Sequence, residues 1–389
     1  MTTRTRLSVL LISTPLLAFV VLGGLLGKAS AGDETFQHLR VFEDVVSLIL
    51  TNYVEDVKVD RVMEGAMRGM ADGLDPDSAY LTPAEVKAVE ANAALPAGDV
   101  GVEMTRQYYL RVIGTRDGSP AAKAGLQTGD YVRAIDGKPT RDLSVFEGMR
   151  MLRGAPGSRV ALTIIRGNAA EPREIDLVRE KTPGAIVTGH MMPPDIGYVR
   201  IAAFGPGIAD KLRARVDELA KGGAKNLVID IRHTAEGPFE TGIDAARLFV
   251  KTGTLVQKAG RDDKAPRETI AAQTGDGAID LPVTLLVTTG TSGAAEIFAA
   301  ALSGNKRAEL VGERTLGRAG IQKLVLLPEG RGLWLTYARY LTPGGDAIQG
   351  KGLPPTVDVD EPEHDWLDTP STTDPVLDAA IARIHGKSQ

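Results

Sequence analysis

Leu227-Val228-Ile229-Asp230-Ile231 is a run of apolar residues broken by a single acid, and its reading decides the fold. Five residues with no polar alternation predict a strand buried on both faces, as in a parallel sheet covered by helices. Upstream, Gly197-Tyr198-Val199-Arg200-Ile201 is strand-like. Between the two, Pro206 to Gly222 carries Ile208, Leu212, Val216 and Leu219 on one helical face. Downstream, Val283 to Thr288 is a second continuous apolar strand, and Ala294 to Leu302 reads as a helix. Further strands lie near Leu310, Leu324 and Leu335. Buried strands alternating with helices predict an α/β layered core over residues 183–360.

Residues 98–182 follow a different rhythm. Tyr109 to Ile113, Tyr131 to Ile135 and Val160 to Ile165 read as strands, with a turn at Asp136-Gly137. Val145, Met149 and Leu152 share one face of a short helix. The order strand, Ser119-Pro120-Ala121-Ala122-Lys123-Ala124-Gly125-Leu126, Gly129-Asp130, strand resembles a PDZ domain of the bacterial type, a β-rich α+β unit. Such domains bind an extended peptide tail by strand addition and capture its carboxylate on backbone N–H groups. The resemblance assigns that loop to Gly98–Glu103, with Gly101, Val102, Met104, Val145 and Met149 as peptide-binding candidates. Each apolar member of that set serves equally well as plain domain core.

The flanks complete a mixed α/β chain. Residues 33–95 read as helical, with Val41, Val45, Leu48 and Ile49 in helical spacing, and likewise Val62, Ala66, Met67 and Met70. Thr82-Pro83-Ala84-Glu85 is a helix start. In residues 1–31, Arg4 and Arg6 precede an apolar run from Leu7 to Leu26, and Ala29-Ser30-Ala31 fits a cleavage site. That pattern predicts export, as a signal peptide or as a membrane anchor at residues 7–26, and the two stay open. The body then lies in the periplasm or on the outer face of the cytoplasmic membrane of a bacterial envelope. The tail, residues 361–389, starts acidic and ends in an amphipathic helix with Val376, Ala380, Ile381 and Ile384. It docks on the body or on a partner.

Composition removes several functions. Net charge is −5 with no basic run in the body, which argues against nucleic-acid binding. The chain has no cysteine, so disulfides and thiol nucleophiles are excluded. His38, His190, His233, His364 and His385 form no paired ligand motif, so no metal and no other cofactor is expected.

Chemistry is expected where strand gives way to helix after Thr288. Thr289-Gly290-Thr291-Ser292-Gly293-Ala294-Ala295-Glu296 is a small-residue turn that opens a helix, a place suited to a nucleophile and an oxyanion hole. Read from the residues alone, Ser292 is the nucleophile candidate or a helix-capping serine.

From about Tyr53 to Val359 the chain resembles the carboxyl-terminal processing peptidases, or tail-specific proteases. The resemblance rests on Tyr53-Val54, Leu74-Asp75-Pro76-Asp77-Ser78-Ala79-Tyr80-Leu81-Thr82, the PDZ unit, Asp230-Ile231-Arg232, Val311-Gly312-Glu313, Tyr340-Leu341-Thr342-Pro343 and Gly350-Lys351-Gly352-Leu353-Pro354-Pro355. It implies a crotonase-like or ClpP-like α/β peptidase core, protein C-terminal tails as partners, and assembly as a homo-oligomer or with an active paralogue. It also implies a serine attacking the scissile carbonyl while a neutral lysine takes its proton, with a glutamine four residues beyond the lysine.

The chain departs from that pattern at the reactive positions. Gly293 stands three residues before Glu296, where the family has serine, and Arg318 stands at the lysine position; Gln322 is retained. The family's Asn-Pro-Gly-Gly turn is Thr234-Ala235-Glu236-Gly237 here. Glycine has nothing to attack with, and a guanidinium has no lone pair to accept a proton. The expectation is a pseudopeptidase that binds tails without cutting them. The rival is an active endopeptidase using Ser292 with His233 as base, although a one-residue shift at a helix start turns a side chain by about 100°. Arg318 itself is read as a salt-bridge partner or as a receptor for a carboxylate.

Overall fold

The computed structural model describes residues 37–91, 95–167, 171–181, 184–261, 266–362 and 373–387. The expected leader, with its apolar run 7–26, lies outside them. Among the described residues no helix is long and apolar enough to cross a membrane. The chain divides into two units, 1–70 and 71–389. In the first, residues 37–52 are helical, and Leu39, Val41, Val45 and Leu48 are exposed on it. A second helix, Val59–Asp72, spans the boundary.

In the second unit the run that opened the sequence reading forms the strand Asn226–Asp230, with every apolar residue buried. It lies inside a six-stranded sheet of order Ile186–Met192, Ile196–Ala203, Asn226–Asp230, Val283–Val287, Ala308–Gly312, Val357–Asp358. The first pair is antiparallel and the rest are parallel. Successive side chains on a strand point to opposite faces, so each strand feeds two cores. Leu227, Ile229, Leu285 and Val287 face the helices Ile208–Lys221, Phe239–Ala246 and Ala294–Gly304. Val228, Leu286 and Val311 face the other way, onto Val376, Ala380 and Ile384 of the helix Pro375–Lys387. The C-terminal tail thus docks on the body.

The helix Ala294–Gly304 has no polar stripe: Ala294 to Leu302 are all buried. A helix buried on every side belongs between layers. The same core takes in Leu255, Val256 and Tyr340 from a second, antiparallel sheet of Ala79–Leu81, Gly332–Leu341, Thr254–Gly260 and Glu268–Ala271, with Gly320–Leu326 also on Gly332–Leu341. One element differs from expectation. Within the stretch read as helical, Ala79–Leu81 is a strand paired with Gly332–Trp334, because the Asp75 carboxylate accepts from the N–H groups of Asp77 and Ser78 and folds the chain back before it.

The β-rich unit has its strands in sequence order, Val102–Gln107, Tyr109–Thr115, Tyr131–Ile135, Arg159–Ile165 and Arg173–Val178. The helix Val145–Leu152 closes it, capped at Ser144 by a reciprocal pair with Glu147. Its core is separate from that of the layered domain.

Candidate active site

The turn Thr288–Gly293 is pinned from several sides. Thr291 Oγ1 accepts from the N–H of Thr288 and donates to Ile231 O, and the N–H of Ser292 donates to Thr234 O at 3.0 Å. Gly293 has φ 63° and ψ −124°, a conformation reserved almost entirely for glycine. Glu296, one turn into the helix, is fully buried. Its carboxylate accepts from the N–H groups of Gly317 and Arg318, each at 2.7 Å, and of Gly293 at 3.3 Å, and from the Thr315 hydroxyl. Burial still outweighs these donors and pushes its pKa up to about 7. One carboxylate oxygen therefore holds the backbones at positions 293 and 318 beside each other.

No reactive pair results at those positions. A Cβ on Gly293 would meet Ala235 O at 3.5 Å, an ordinary contact. Gly237 is tied to its conformation, φ +127°, because any side chain there would overlap the carbonyl of Phe204. Arg318 donates from Nε to Asp77 Oδ1 at 3.0 Å and from Nη1 to Glu103 Oε2 at 3.3 Å. Gln322 bonds the hydroxyl of Thr336 at 3.1 Å. Burial pushes Glu103 up to about 7; Arg318 and Arg153 pull against it, and Glu236 adds repulsion.

The alternative pair is not assembled either. Ser292 Oγ is buried and has no hydrogen-bond partner. The ring of His233 is committed elsewhere, with Nδ1 at 2.8 Å from Thr128 Oγ1 and Nε2 at 2.6 Å from Glu361 Oε2. Since the Thr128 hydroxyl donates to Ile113 O, it can only accept from Nδ1–H.

The peptide-binding candidates separate. Met104 is fully buried, and Val102 and Val145 nearly so, all within the β-rich core; Met104 fills the domain, while Val145 also reaches a cavity at its edge. Met149 is partly buried and borders a cavity of about 220 Å³ with Val145, Phe146, Arg150, Arg318 and Trp334. Gly101, at φ +72°, sits against Ser119. Its N–H is already given to Asp99 Oδ1 at 2.9 Å. Asp99 in turn pairs with Arg116 at 3.0 Å and Arg153 at 2.9 Å.

Four site residues escaped the sequence reading: Asp77, Asp99, Glu103 and Arg116. The first three stood inside quoted motifs as mere members of them, and nothing local marks Arg116. Among the described residues no group of three or more His, Asp or Glu could hold a metal ion.

The α/β layered core with its strand-to-helix turn, joined to a separate β-rich unit, is the arrangement of peptidases that carry a PDZ domain, and the comparisons agree. Residues 195–359 match the model of peptidase family S41, 112–166 that of a PDZ domain, and 24–84 that of the activating protease CtpB N-terminal domain. The chain is 31% identical to the carboxy-terminal-processing protease of Bartonella bacilliformis, over 84% of this chain and 76% of that one. It is also 31% identical to the carboxyl-terminal-processing protease of Synechocystis sp., over 91% and 83%. The solved photosystem II D1 C-terminal processing protease superposes with a TM-score of 0.66 at 31% identity, covering 81% of this chain and 85% of that one. The chain belongs to the carboxy-terminal processing protease family.

Proposed function

We propose that this family member is a non-hydrolytic pseudopeptidase of the bacterial cell envelope that binds the C-terminal tails of other proteins through its PDZ domain. One feature carries the reading: Gly293 and Arg318 stand where the resemblance sets the nucleophile and the base. Hydrolysis needs a nucleophile with a base in hydrogen-bond reach and donors aimed at the oxyanion. Here a bare Cα faces the carbonyl of Ala235, and a cation is held between two carboxyl groups. Ser292 has neither a base nor access to solvent. The apolar run 7–26 behind Arg4 and Arg6 supports export.

A serine-reactive fluorophosphonate probe tests the loss of chemistry on the purified protein. No labelling is expected, and labelling that disappears in Ser292→Ala would overturn the proposal. Fluorescence anisotropy with one apolar-tailed peptide, as free acid and as amide, tests the binding arm. The free acid should bind more tightly by about tenfold, the worth of a charge-assisted contact; equal affinities would remove carboxylate capture.

A further inference from the structure

One face of the PDZ unit carries a cluster that tail binding does not use. Leu110, Val112 and Val132 point into the domain core, so Tyr109, Arg111 and Tyr131 share the opposite face of their strands. Tyr108 makes the turn between the strands Val102–Gln107 and Tyr109–Thr115. Three of the chain's eight tyrosines thus gather here, and guanidinium groups alternate with their rings. Arg141 stands 4.8 Å over Tyr108, Arg133 5.7 Å over Tyr109 and Arg111 5.6 Å over Tyr131. Tyr108 and Tyr109 meet edge-on at 5.0 Å. Arg106 ties the cluster together, giving one nitrogen to Arg141 O at 3.1 Å and another to Asp72.

We propose that this face docks on a membrane surface of anionic phospholipid headgroups.

Tyr108 is 62% exposed at φ 69°, a left-handed backbone that a bulky side chain rarely adopts. Glycine or asparagine would make the same turn without strain, so turn formation does not account for an exposed ring there. Arg111 spends its N–H groups on Gln107 Oε1 and Gly129 O. Arg133 and Arg141 are exposed, and among the described residues neither is paired with a carboxylate. On a chain of net charge −5, these two cations are left to be answered from outside. Rings with a polar tip and long cationic side chains are the groups that settle at the level of lipid headgroups.

Each arginine near an anionic surface is worth about fivefold in binding, so two alone hold weakly. A second attachment makes such a contact intramolecular and effective. The apolar run 7–26 is that second attachment where it stays on the chain. The proposal rests on the export reading through that run, and on neither the missing nucleophile nor tail capture.

The chain has no cysteine, so a single introduced thiol can carry a polarity-sensitive dye. Lys138→Cys, on the hairpin that leads to Arg141, is compared with Lys221→Cys at the end of the core helix Ile208–Lys221. The full chain is reconstituted into phosphatidylcholine vesicles, plain or with about 30 mol % phosphatidylglycerol. Emission at position 138 should shift to the blue only in the anionic vesicles, and at 221 in neither. Salt at about 0.5 M should abolish the shift. Arg133→Gln/Arg141→Gln should lower the docking constant about thirtyfold. Tyr108→Gly, which suits the left-handed turn, should weaken docking by a separate route. Equal emission in the two lipids overturns the proposal, as does a shift at both labels or one that survives the double variant. A shift raised as strongly by dextran sulfate or polyglutamate in place of anionic lipid marks a site for a soluble polyanion or an acidic protein, and overturns it too. Any of these failures leaves tail binding and the absent nucleophile untouched.

Discussion

At Gly293 the absence of a side chain suits the backbone. The position lies at φ 63°, ψ −124°, where any side chain is strained, although a Cβ would find ordinary contact at 3.5 Å. A nucleophile at such a turn is held there by the rest of the structure at a cost of order 1–3 kcal/mol. Glycine at this position removes that cost. Gly293→Ala is therefore expected to lower stability by about 1–2 kcal/mol through backbone strain alone, read from urea unfolding. An unchanged midpoint would show that the turn relaxes.

Glu103 makes a second prediction at the same scale. Burial sets its pKa near 7 in the folded chain, against 4.5 ordinarily. The folded state then holds a proton that the unfolded chain has already lost, so Glu103 favours folding fully below pH 4.5, and that contribution fades as the pH rises through 7. A shift of this size corresponds to at most about 3 kcal/mol. Unfolding at pH 5 and pH 8 should show wild type losing stability relative to Glu103→Gln over that interval. Asp230 and Glu361 work in the opposite sense. Burial opposes their charge, yet Arg232 and Arg200 around Asp230, and His233 and Arg232 around Glu361, hold both below the usual carboxyl range. Their contribution is lost on acidification.

Among the elements, the helix Pro375–Lys387 shows how an amphipathic pattern finds its partner. Val376, Ala380 and Ile384 recur every four residues and cover the sheet face formed by Val228, Leu286 and Val311. Arg232, bonded to Asp230 at 2.7 Å and to Asp374 at 2.8 Å, fixes the entry to the helix. Val376→Ala removes two buried methyl-sized groups, so a loss of about 2 kcal/mol is expected in thermal or urea unfolding. No loss would mean that the tail is released in solution. The strand Ala79–Leu81 teaches the converse. Three residues are too few to carry a period, and an Asp75 turn with a pairing partner more than 250 positions away decides their state.

At the scale of the whole molecule, two domains with separate cores meet through ion pairs and through the packing of Phe146 on Trp334. Buried or half-buried ion pairs return little net stability, because desolvation offsets most of their attraction, but they specify geometry. Arg318, Arg116 and Arg200 each hold a carboxyl group across the junction or at its edge.

The layered core, the PDZ unit and the absence of a hydroxyl and an amine at positions 293 and 318 were all legible in the linear chain. Periodicity records which face of an element is buried, and the type of a residue limits what chemistry it can do. The destinations of the charges were not legible. Arg318 meets Asp77 and Glu103, and Arg116 meets Glu236, across more than a hundred residues. Met104 lies in the core rather than in a groove. Ion pairing and burial at such separations depend on how finished domains dock, and a spacing along the chain carries no record of that.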